Sequence, residues 1–116
     1  MSTDTSILSR IVAREIPADI VFENERVMAI RDIAPKAPVH LLVFPRTDAY
    51  SNVAELAATD PDLLAELVAV ATTLAGEHAD GQYRLVFNTG ANAGQTIFHV
   101  HAHVLGGLLE EGTIAI

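Results

Sequence analysis

Three of the five histidines in this 116-residue chain occupy alternate positions near its C-terminal end, at His99, His101 and His103. Because successive side chains of a β-strand point to opposite faces, a strand over this segment would place the three imidazoles on one face. The opposite face would take the apolar residues of the segment, which are Phe98, Val100, Ala102 and Val104. Neighbouring imidazoles would stand roughly 7 Å apart, so two of them could reach adjacent atoms of one ligand.

An imidazole titrates near neutral pH and can act as nucleophile, base or acid. The chain has no cysteine, and none of its serines lies in an elbow-type motif, so histidine is the best nucleophile available. Several imidazoles on one face could also bind a phosphoryl group in an otherwise acidic protein. Metal binding is the main alternative, because a His-x-His pair on a strand can chelate zinc.

Other candidate residues are less specific when each is taken alone. Asp32 ends a predicted strand before a proline-rich loop, where its carboxylate could accept hydrogen bonds from two ribose hydroxyls, although an exposed loop residue is the simpler interpretation. His40 lies among apolar residues and is most simply a hydrogen-bonded core histidine. His78, at the end of a predicted helix, would interact favourably with the helix dipole.

A glycine-rich loop, Asn88 to Thr96, precedes the three histidines. It differs from a phosphate-binding P-loop, because Gly90 and Gly94 are too close together, Gln95 replaces the lysine, and a strand follows instead of a helix. The glycines would still allow the backbone to approach a ligand closely, with Gln95 and Thr96 as neutral donors. An ordinary turn between strands is an equally good interpretation of the loop alone.

The elements that position these side chains follow from the apolar periodicity. A short amphipathic helix is predicted over residues 5–13. A long helix is predicted from Asp60-Pro61 to about His78, because a capping oxygen followed by proline is typical of a helix start. Strands are predicted over residues 20–23, 27–32, 39–44, 83–88 and 98–105. Strands joined mostly as hairpins, with one long helix between them, indicate an α+β fold with an antiparallel sheet.

Composition narrows the class of protein and of partner. Half of the residues are apolar, the length suits one domain over residues 1–116, and there is no disulfide. The chain has 15 acidic and seven basic residues and a net charge of −8, and the basic residues form no patch, so nucleic acid and anionic membranes are poor partners. No secretory signal is evident, and no apolar stretch approaches the about twenty residues of a membrane span. A cytoplasmic protein is expected.

The segment from His99 to Gly107 follows the order His-φ-His-φ-His-φ-φ, where φ is apolar, and resembles the motif of the histidine triad (HIT) superfamily. The rest of the chain is similar to the Hint branch, the histidine triad nucleotide-binding proteins, in the segments Glu15–Ala18, Asp32–Pro35, Ala37-Pro38, His40–Pro45, Asn88 and Ala93–Thr96. This similarity covers about residues 7–107. It implies a single HIT domain with five antiparallel strands, one long helix and one short helix, the sheet continuing across a homodimer.

The resemblance also implies a function without a cofactor. Members bind purine nucleotides and hydrolyse phosphoramidates or acyl phosphates of AMP through a nucleotidyl-histidine. By position, His101 resembles the nucleophile and His103 the residue beside the phosphate and leaving group. His99 resembles the residue whose backbone carbonyl orients the nucleophile, and His40 resembles their supporting partner. The resemblance further implies that Asp32 binds the ribose and that the purine contacts Ile33 and Leu8. It implies phosphate-side contacts from Asn88, Gly94, Gln95 and Thr96.

The sequence departs from the Hint pattern at several positions. Many bacterial relatives bind zinc through Cys-x-x-Cys and two histidines, but this chain has Ser6-Ile7-Leu8-Ser9 there and Asp48 at a later ligand position, so no metal is expected. Thr96 replaces the usual serine. The tail, residues 108–116, lacks the tryptophan that shapes substrate choice in some relatives, which leaves the leaving group open.

Two alternative functions remain at this point. One is a dinucleoside polyphosphate hydrolase, a sister activity that Gly106-Gly107 fits less well than the Hint branch. The other is a nucleotide-binding regulatory dimer with incidental hydrolysis.

Overall fold

The computed structural model describes residues 6–110. Within this range five strands form one antiparallel sheet in the order β1-β2-β3-β5-β4. The strands are β1 (Ile20–Glu23), β2 (Val27–Arg31), β3 (Val39–Pro45), β4 (Arg84–Val86) and β5 (Ala102–Gly106). The predicted antiparallel α+β fold is confirmed. Thr5 of the predicted first helix and residues 111–116 of the predicted tail lie outside the described residues.

Three α-helices begin at side chains that accept hydrogen bonds from the first turn. They are α1 (Ile7–Val12), α2 (Val53–Thr59) and α3 (Pro61–His78), capped by Ser6, Asn52 and Asp60. Helix α2 was not predicted. Its signal is Asn52 followed three residues later by Glu55, whose carboxylate accepts from the Ser51 amide while the Asn52 side chain accepts from the Glu55 amide.

The sheet is buried on both faces, which explains why its central strands are almost continuously apolar. Helices α2 and α3 cover one face, which presents Val27 and Ala29 of β2. Helix α1 covers the other face, where Leu8 and Ile11 pack against a set from β2 and β3. That set comprises Met28, Ile30, Leu42 and Phe44. Every side chain of β2 except that of Arg31 is therefore buried on one face or the other.

The strand that carries the histidines is shorter than predicted. It begins at Ala102, because the amide of Val100 donates to the Tyr50 carbonyl instead of to a neighbouring strand. The prediction that Phe98 packs in the core is wrong, since its side chain is 55% exposed. Val100, Ala102 and Val104 do pack in the core, as expected.

The described helices also bear on membrane association. Between residues 6 and 110, none combines the length and apolarity that crossing a bilayer requires.

Candidate functional site

The candidate site lies on the α1 side of the sheet, where β3 and β5 pair. In this ladder His103 of β5 is opposite Leu42 of β3, and His40 is two residues along β3 on the same face. The His40 and His103 ring centroids are 5.2 Å apart, and the His101 ring is also 5.2 Å from the His103 ring. The pairing of two strands therefore brings together histidines that are distant in sequence.

The hydrogen bonds of His40 determine where His103 carries its proton. The Lys36 amide donates to His40 Nδ1 over 3.0 Å, so that nitrogen holds a lone pair and the neutral ring is protonated on Nε2. His40 Nε2 lies 3.0 Å from His103 Nδ1 and must donate to it. His103 is therefore protonated on Nε2. Burial lowers the pKa of His40, and burial together with the neighbouring His101 and His40 lowers the pKa of His103 to about 4, which keeps both rings neutral at pH 7.

His101 has the opposite tautomer. Its Nδ1 lies 2.8 Å from the backbone carbonyl oxygen of His99, which can only accept a hydrogen bond. Nδ1 must therefore carry the proton, and Nε2 of the neutral ring keeps its lone pair. The His101 side chain is half-buried, so its ring remains partly open to solvent. Neighbouring rings thus offer a nucleophilic nitrogen on His101 and an N–H donor on His103.

His99 is on the same side of the sheet but is fully buried beneath α1. Its Nε2 donates to the Pro45 carbonyl over 2.7 Å, and its Nδ1 lies 2.7 Å from Ser6 Oγ. The ring meets Phe44 edge-on at an interplanar angle of 89°. Burial lowers the pKa of His99. Only two of the three alternating imidazoles, those of His101 and His103, are therefore open to a ligand.

An apolar cavity of about 210 Å³ adjoins the histidines. Leu8 and Ile33, the two residues expected to contact a purine, both line it. Asp32 also lines the cavity, with its Oδ2 3.4 Å from His40 Nε2 and its Oδ1 accepting from the Ala34 amide. Asp32 therefore belongs both to the lining of this mostly apolar cavity and to the surroundings of His40.

Gln95 holds the loop that precedes the histidines. Its side chain is buried, its Oε1 accepts from the Gly90 amide, and its amide nitrogen donates to the Ser51 and Ile97 carbonyls over 2.6 and 2.9 Å. Both amide hydrogens are used by these two carbonyls, so the side chain has no donor left for a ligand. Gln95 acts in this structure as the support of the loop.

The other loop residues surround a single turn of 3₁₀-helix, Ala91–Ala93. Gly94 ends this turn with a φ of 90°, a left-handed conformation that favours glycine, and Asn88 Nδ2 donates to the Ala93 carbonyl. Thr96 is exposed. Among the described residues no hydrogen bond joins Asn88, Gly94 or Thr96 to His101 or His103.

Two groups of side chains could be considered for a metal. Ligand atoms of Asp32, His40 and His103 lie within 4.8 Å of one another. Because the Lys36 amide donates to His40 Nδ1, the proton of the His40 ring is on Nε2. A metal bound at Nε2 would displace this proton and break the hydrogen bond from His40 to His103. The residues therefore fit a hydrogen-bonded pair better than a metal.

The second group lies where the resemblance implies zinc ligands. Ser6 and Ser9 place their hydroxyl oxygens 2.7 and 3.3 Å from His99 Nδ1, and Asp48 is exposed. Zinc prefers thiolates and imidazoles, and neutral hydroxyls do not replace thiolates. This set does not fit zinc.

Three contributors to the site were not identified from the sequence. The Lys36 amide and the Pro45 carbonyl are backbone groups that act only after the strands pair, so residue types carry no signal for them. Ser6 does have a signal, because serine just before an apolar-periodic segment is typical of a helix N-cap. Its contact with His99 spans 93 positions of sequence and could not be foreseen.

Comparisons with known proteins agree with this geometry. Residues 13–108 match the family model described as HIT domain. An uncharacterized HIT-like protein of Synechococcus elongatus is 45% identical over 108 residues, covering 92% of this chain and 93% of that protein. The purine nucleoside phosphoramidase of Escherichia coli K12 is 39% identical over 106 residues, covering 90% and 88%. A HIT family hydrolase from Clostridium thermocellum superposes with a TM-score of 0.88 at 38% identity, covering 97% and 99% of the two chains. The chain belongs to the HIT domain family.

Proposed function

We propose that this protein hydrolyses purine nucleoside phosphoramidates, or acyl phosphates of AMP, through a nucleotidyl-histidine intermediate. The observation that carries the proposal is the pair of opposite tautomers, with a lone pair on His101 Nε2 beside an N–H on His103 Nε2. The 39% identity with a purine nucleoside phosphoramidase supports the substrate class.

The nucleotide would lie along the apolar cavity. A purine ring stacks well in a space lined by Leu8 and Ile33, and the Asp32 carboxylate is placed to accept from ribose hydroxyls. This arrangement directs the α-phosphate toward His101 and His103. An acidic protein without a basic patch then holds the phosphate by neutral N–H donors, including that of His103.

In the first step His101 Nε2 attacks the α-phosphorus, and the bond from phosphorus to the leaving nitrogen breaks. The His99 carbonyl holds the Nδ1 proton and so aims the attacking lone pair. A pKa of about 4 makes His103 a neutral hydrogen-bond donor to the phosphoryl group rather than a proton source. The leaving amine takes its proton from solvent, through the exposed Thr96 hydroxyl.

In the second step a water molecule attacks phosphorus and the bond to His101 Nε2 breaks. AMP leaves, the His101 lone pair is restored, and the water returns one proton to solvent. Each turnover therefore consumes one water and releases one AMP together with one amine from a phosphoramidate, or one carboxylate from an acyl phosphate. Positioning and stabilisation of phosphoryl charge carry most of the rate in such a mechanism.

A trapping experiment tests the covalent step. The protein is mixed with an adenosine phosphoramidate, quenched within one turnover and weighed intact. We expect an adenylyl adduct on the unmodified protein and on His78→Ala, which removes a histidine at the distant end of α3. We expect no adduct on His101→Ala. An adduct that survives His101→Ala, or none on the unmodified protein under turnover, would contradict the proposal.

We also propose that the protein is a homodimer in which the sheet continues between protomers. In the described chain β4 is at one edge of the sheet, where a strand of a second chain could continue the ladder, and the resemblance to the Hint branch implies such a continuous sheet. Sedimentation equilibrium should give twice the 12.4 kDa mass of one chain, and a monomer at micromolar concentration would contradict this.

A further inference from the structure

We infer that Ser6, the N-cap of α1, is a positioning residue for His101 and acts through the ring of His99. The effect that we expect on kcat rests on the proposed function, whereas the effect that we expect on the ring protons of His99 and His101 does not. Ser6 lies outside the nucleotide cavity, and its hydroxyl contacts α1 and His99.

The Ser6 hydroxyl accepts one hydrogen bond and has two possible acceptors for its own hydrogen, His99 Nδ1 at 2.7 Å and the more distant Ser9 Oγ at 3.4 Å. As the N-cap it accepts from the Ser9 amide over 3.0 Å, which leaves its own hydrogen free to donate. His99 Nδ1 is 2.7 Å away, and it must accept, because Nε2 of the same neutral ring donates to the Pro45 carbonyl. Ser9 Oγ lies 3.3 Å from the same nitrogen and is a longer, weaker alternative donor.

The backbone of His99 connects this contact to the nucleophile. Its carbonyl oxygen accepts the Nδ1 proton of His101 over 2.8 Å. The fully buried His99 ring is fixed at one nitrogen by the end of β3 and at the other by the start of α1. These two anchors fix the residue whose carbonyl selects the His101 tautomer.

Without the Ser6 hydroxyl hydrogen, the buried Nδ1 of His99 would lose its closest donor. An unsatisfied buried acceptor is costly in free energy, so we expect the His99 ring to rearrange. The His99 ring can exchange its tautomer or rotate, and either change breaks the bond to the Pro45 carbonyl. The His99 carbonyl then moves relative to His101. A small displacement of a nucleophile strongly reduces the rate of displacement at phosphorus.

Two substitutions of Ser6 separate its roles as helix cap and as donor to His99, and a third substitution serves as a control. Ser6→Thr keeps the cap and the donor. Ser6→Asp keeps the cap, because a carboxylate accepts from the Ser9 amide, but it has no hydrogen to donate to His99. Asn52→Ala is the matched control, since it removes the N-cap of α2, whose side chain accepts from the Glu55 amide.

We expect Ser6→Asp to lower kcat for an adenosine phosphoramidate about tenfold, while KM and the Kd for AMP stay within about twofold. Ser6→Thr should stay near the unmodified protein, and Asn52→Ala should lose stability without losing kcat per folded molecule. If kcat of Ser6→Asp falls only in proportion to the unfolded fraction, the inference is overturned.

Side-chain ¹⁵N NMR of the histidines supplies a readout that does not require turnover. The unmodified protein should show protons on His99 Nε2 and His101 Nδ1. In Ser6→Asp the carboxylate should accept a hydrogen bond from His99 Nδ1, which moves the His99 proton from Nε2 to Nδ1, breaks the bond to the Pro45 carbonyl and shifts the His101 Nδ1 resonance. Unchanged His101 resonances would overturn the inference. A shift in a protein that forms no adenylyl adduct would support it while refuting the proposed function.

Discussion

His101 and His103 are chemically identical side chains that the backbone makes different. A carbonyl oxygen faces Nδ1 of His101, whereas a ring N–H from His40 faces Nδ1 of His103. The first arrangement frees a lone pair on Nε2, and the second places a proton there. The proposed roles of attacking group and charge-stabilising donor therefore rest on one hydrogen bond to each ring.

Removal of the His40 side chain tests this account at the residue scale. In His40→Ala nothing donates to His103 Nδ1, so the His103 proton is no longer confined to Nε2. We expect kcat to fall about tenfold, with the Kd for AMP much less affected. Steady-state kinetics and AMP titration measure the two quantities, normalised to folded protein because His40 is buried. An unchanged kcat would show that the tautomer of His103 is not controlled through His40.

At the scale of elements, a proline-rich loop positions the Lys36 amide against His40. Pro38 of this loop packs on the residue that follows β5, Gly107, whose φ is 90°. A Cβ added at Gly107 would lie 2.8 Å from Pro38 Cβ, closer than real Cβ atoms approach. Glycine at this position therefore lets the end of β5 approach the loop that supports His40.

Gly107→Ala and Gly81→Ala form a matched pair for this contact. Both glycines have positive φ, but a Cβ at Gly81 meets nothing within 4 Å. We expect Gly81→Ala to lower the free energy of unfolding by about 1 kcal/mol through backbone strain alone. Gly107→Ala should lower it by about 3 kcal/mol, because the collision with Pro38 is added. Urea denaturation measures both, and equal losses would show that Pro38 moves aside freely.

At the scale of the whole molecule, the site makes stability depend on pH. His40, His99 and His103 all have a lowered pKa, chiefly because burial disfavours the charged ring. The unfolded chain, with histidines near their ordinary 6.5, therefore binds more protons than the folded chain once the pH falls below that value. For His103 the stability lost through this difference accumulates as the pH falls from 6.5 to about 4.

We therefore expect the free energy of unfolding to fall steadily between pH 6.5 and 5. Glu23, whose pKa is lowered mainly by its hydrogen bond to Arg14, loses its contribution to stability only as the pH falls toward and below the ordinary glutamate value of 4.5, below this range. Urea denaturation in steps of pH measures the slope. His103→Gln should reduce this slope. A flat profile in the unmodified protein would contradict the neutral, buried state of these rings.

Sequence patterns predicted the strands and helices that are specified by residues close together in the chain. The strands β2 and β3 are continuous apolar runs, and α3 starts where Asp60 and Pro61 specify it. The start of β5 was misplaced because it depends on the Tyr50 carbonyl, which captures the Val100 amide from another part of the chain. Tertiary hydrogen bonds of this kind leave no periodic signal.

The candidate site was predictable in its residue types but not in its proton positions. The alternating histidines could be chosen from the residue pattern and Asp32 only weakly so, whereas Leu8 and Ile33 were assigned through the family resemblance. The burial of His99 and the assignment of each ring proton depend on backbone groups of Lys36, Pro45 and His99 itself. Those groups acquire their roles only when the strands and α1 pack together.

The position of the adenylyl bond on the His101 ring tests the central claim most directly. The trapped adduct can be prepared with ¹⁵N-labelled histidine and examined by ¹⁵N and ³¹P NMR under denaturing, alkaline conditions that preserve the bond. Phosphorus should be attached to Nε2 of His101, because the His99 carbonyl occupies the Nδ1 side. Attachment to Nδ1, or to any other histidine, would contradict the account.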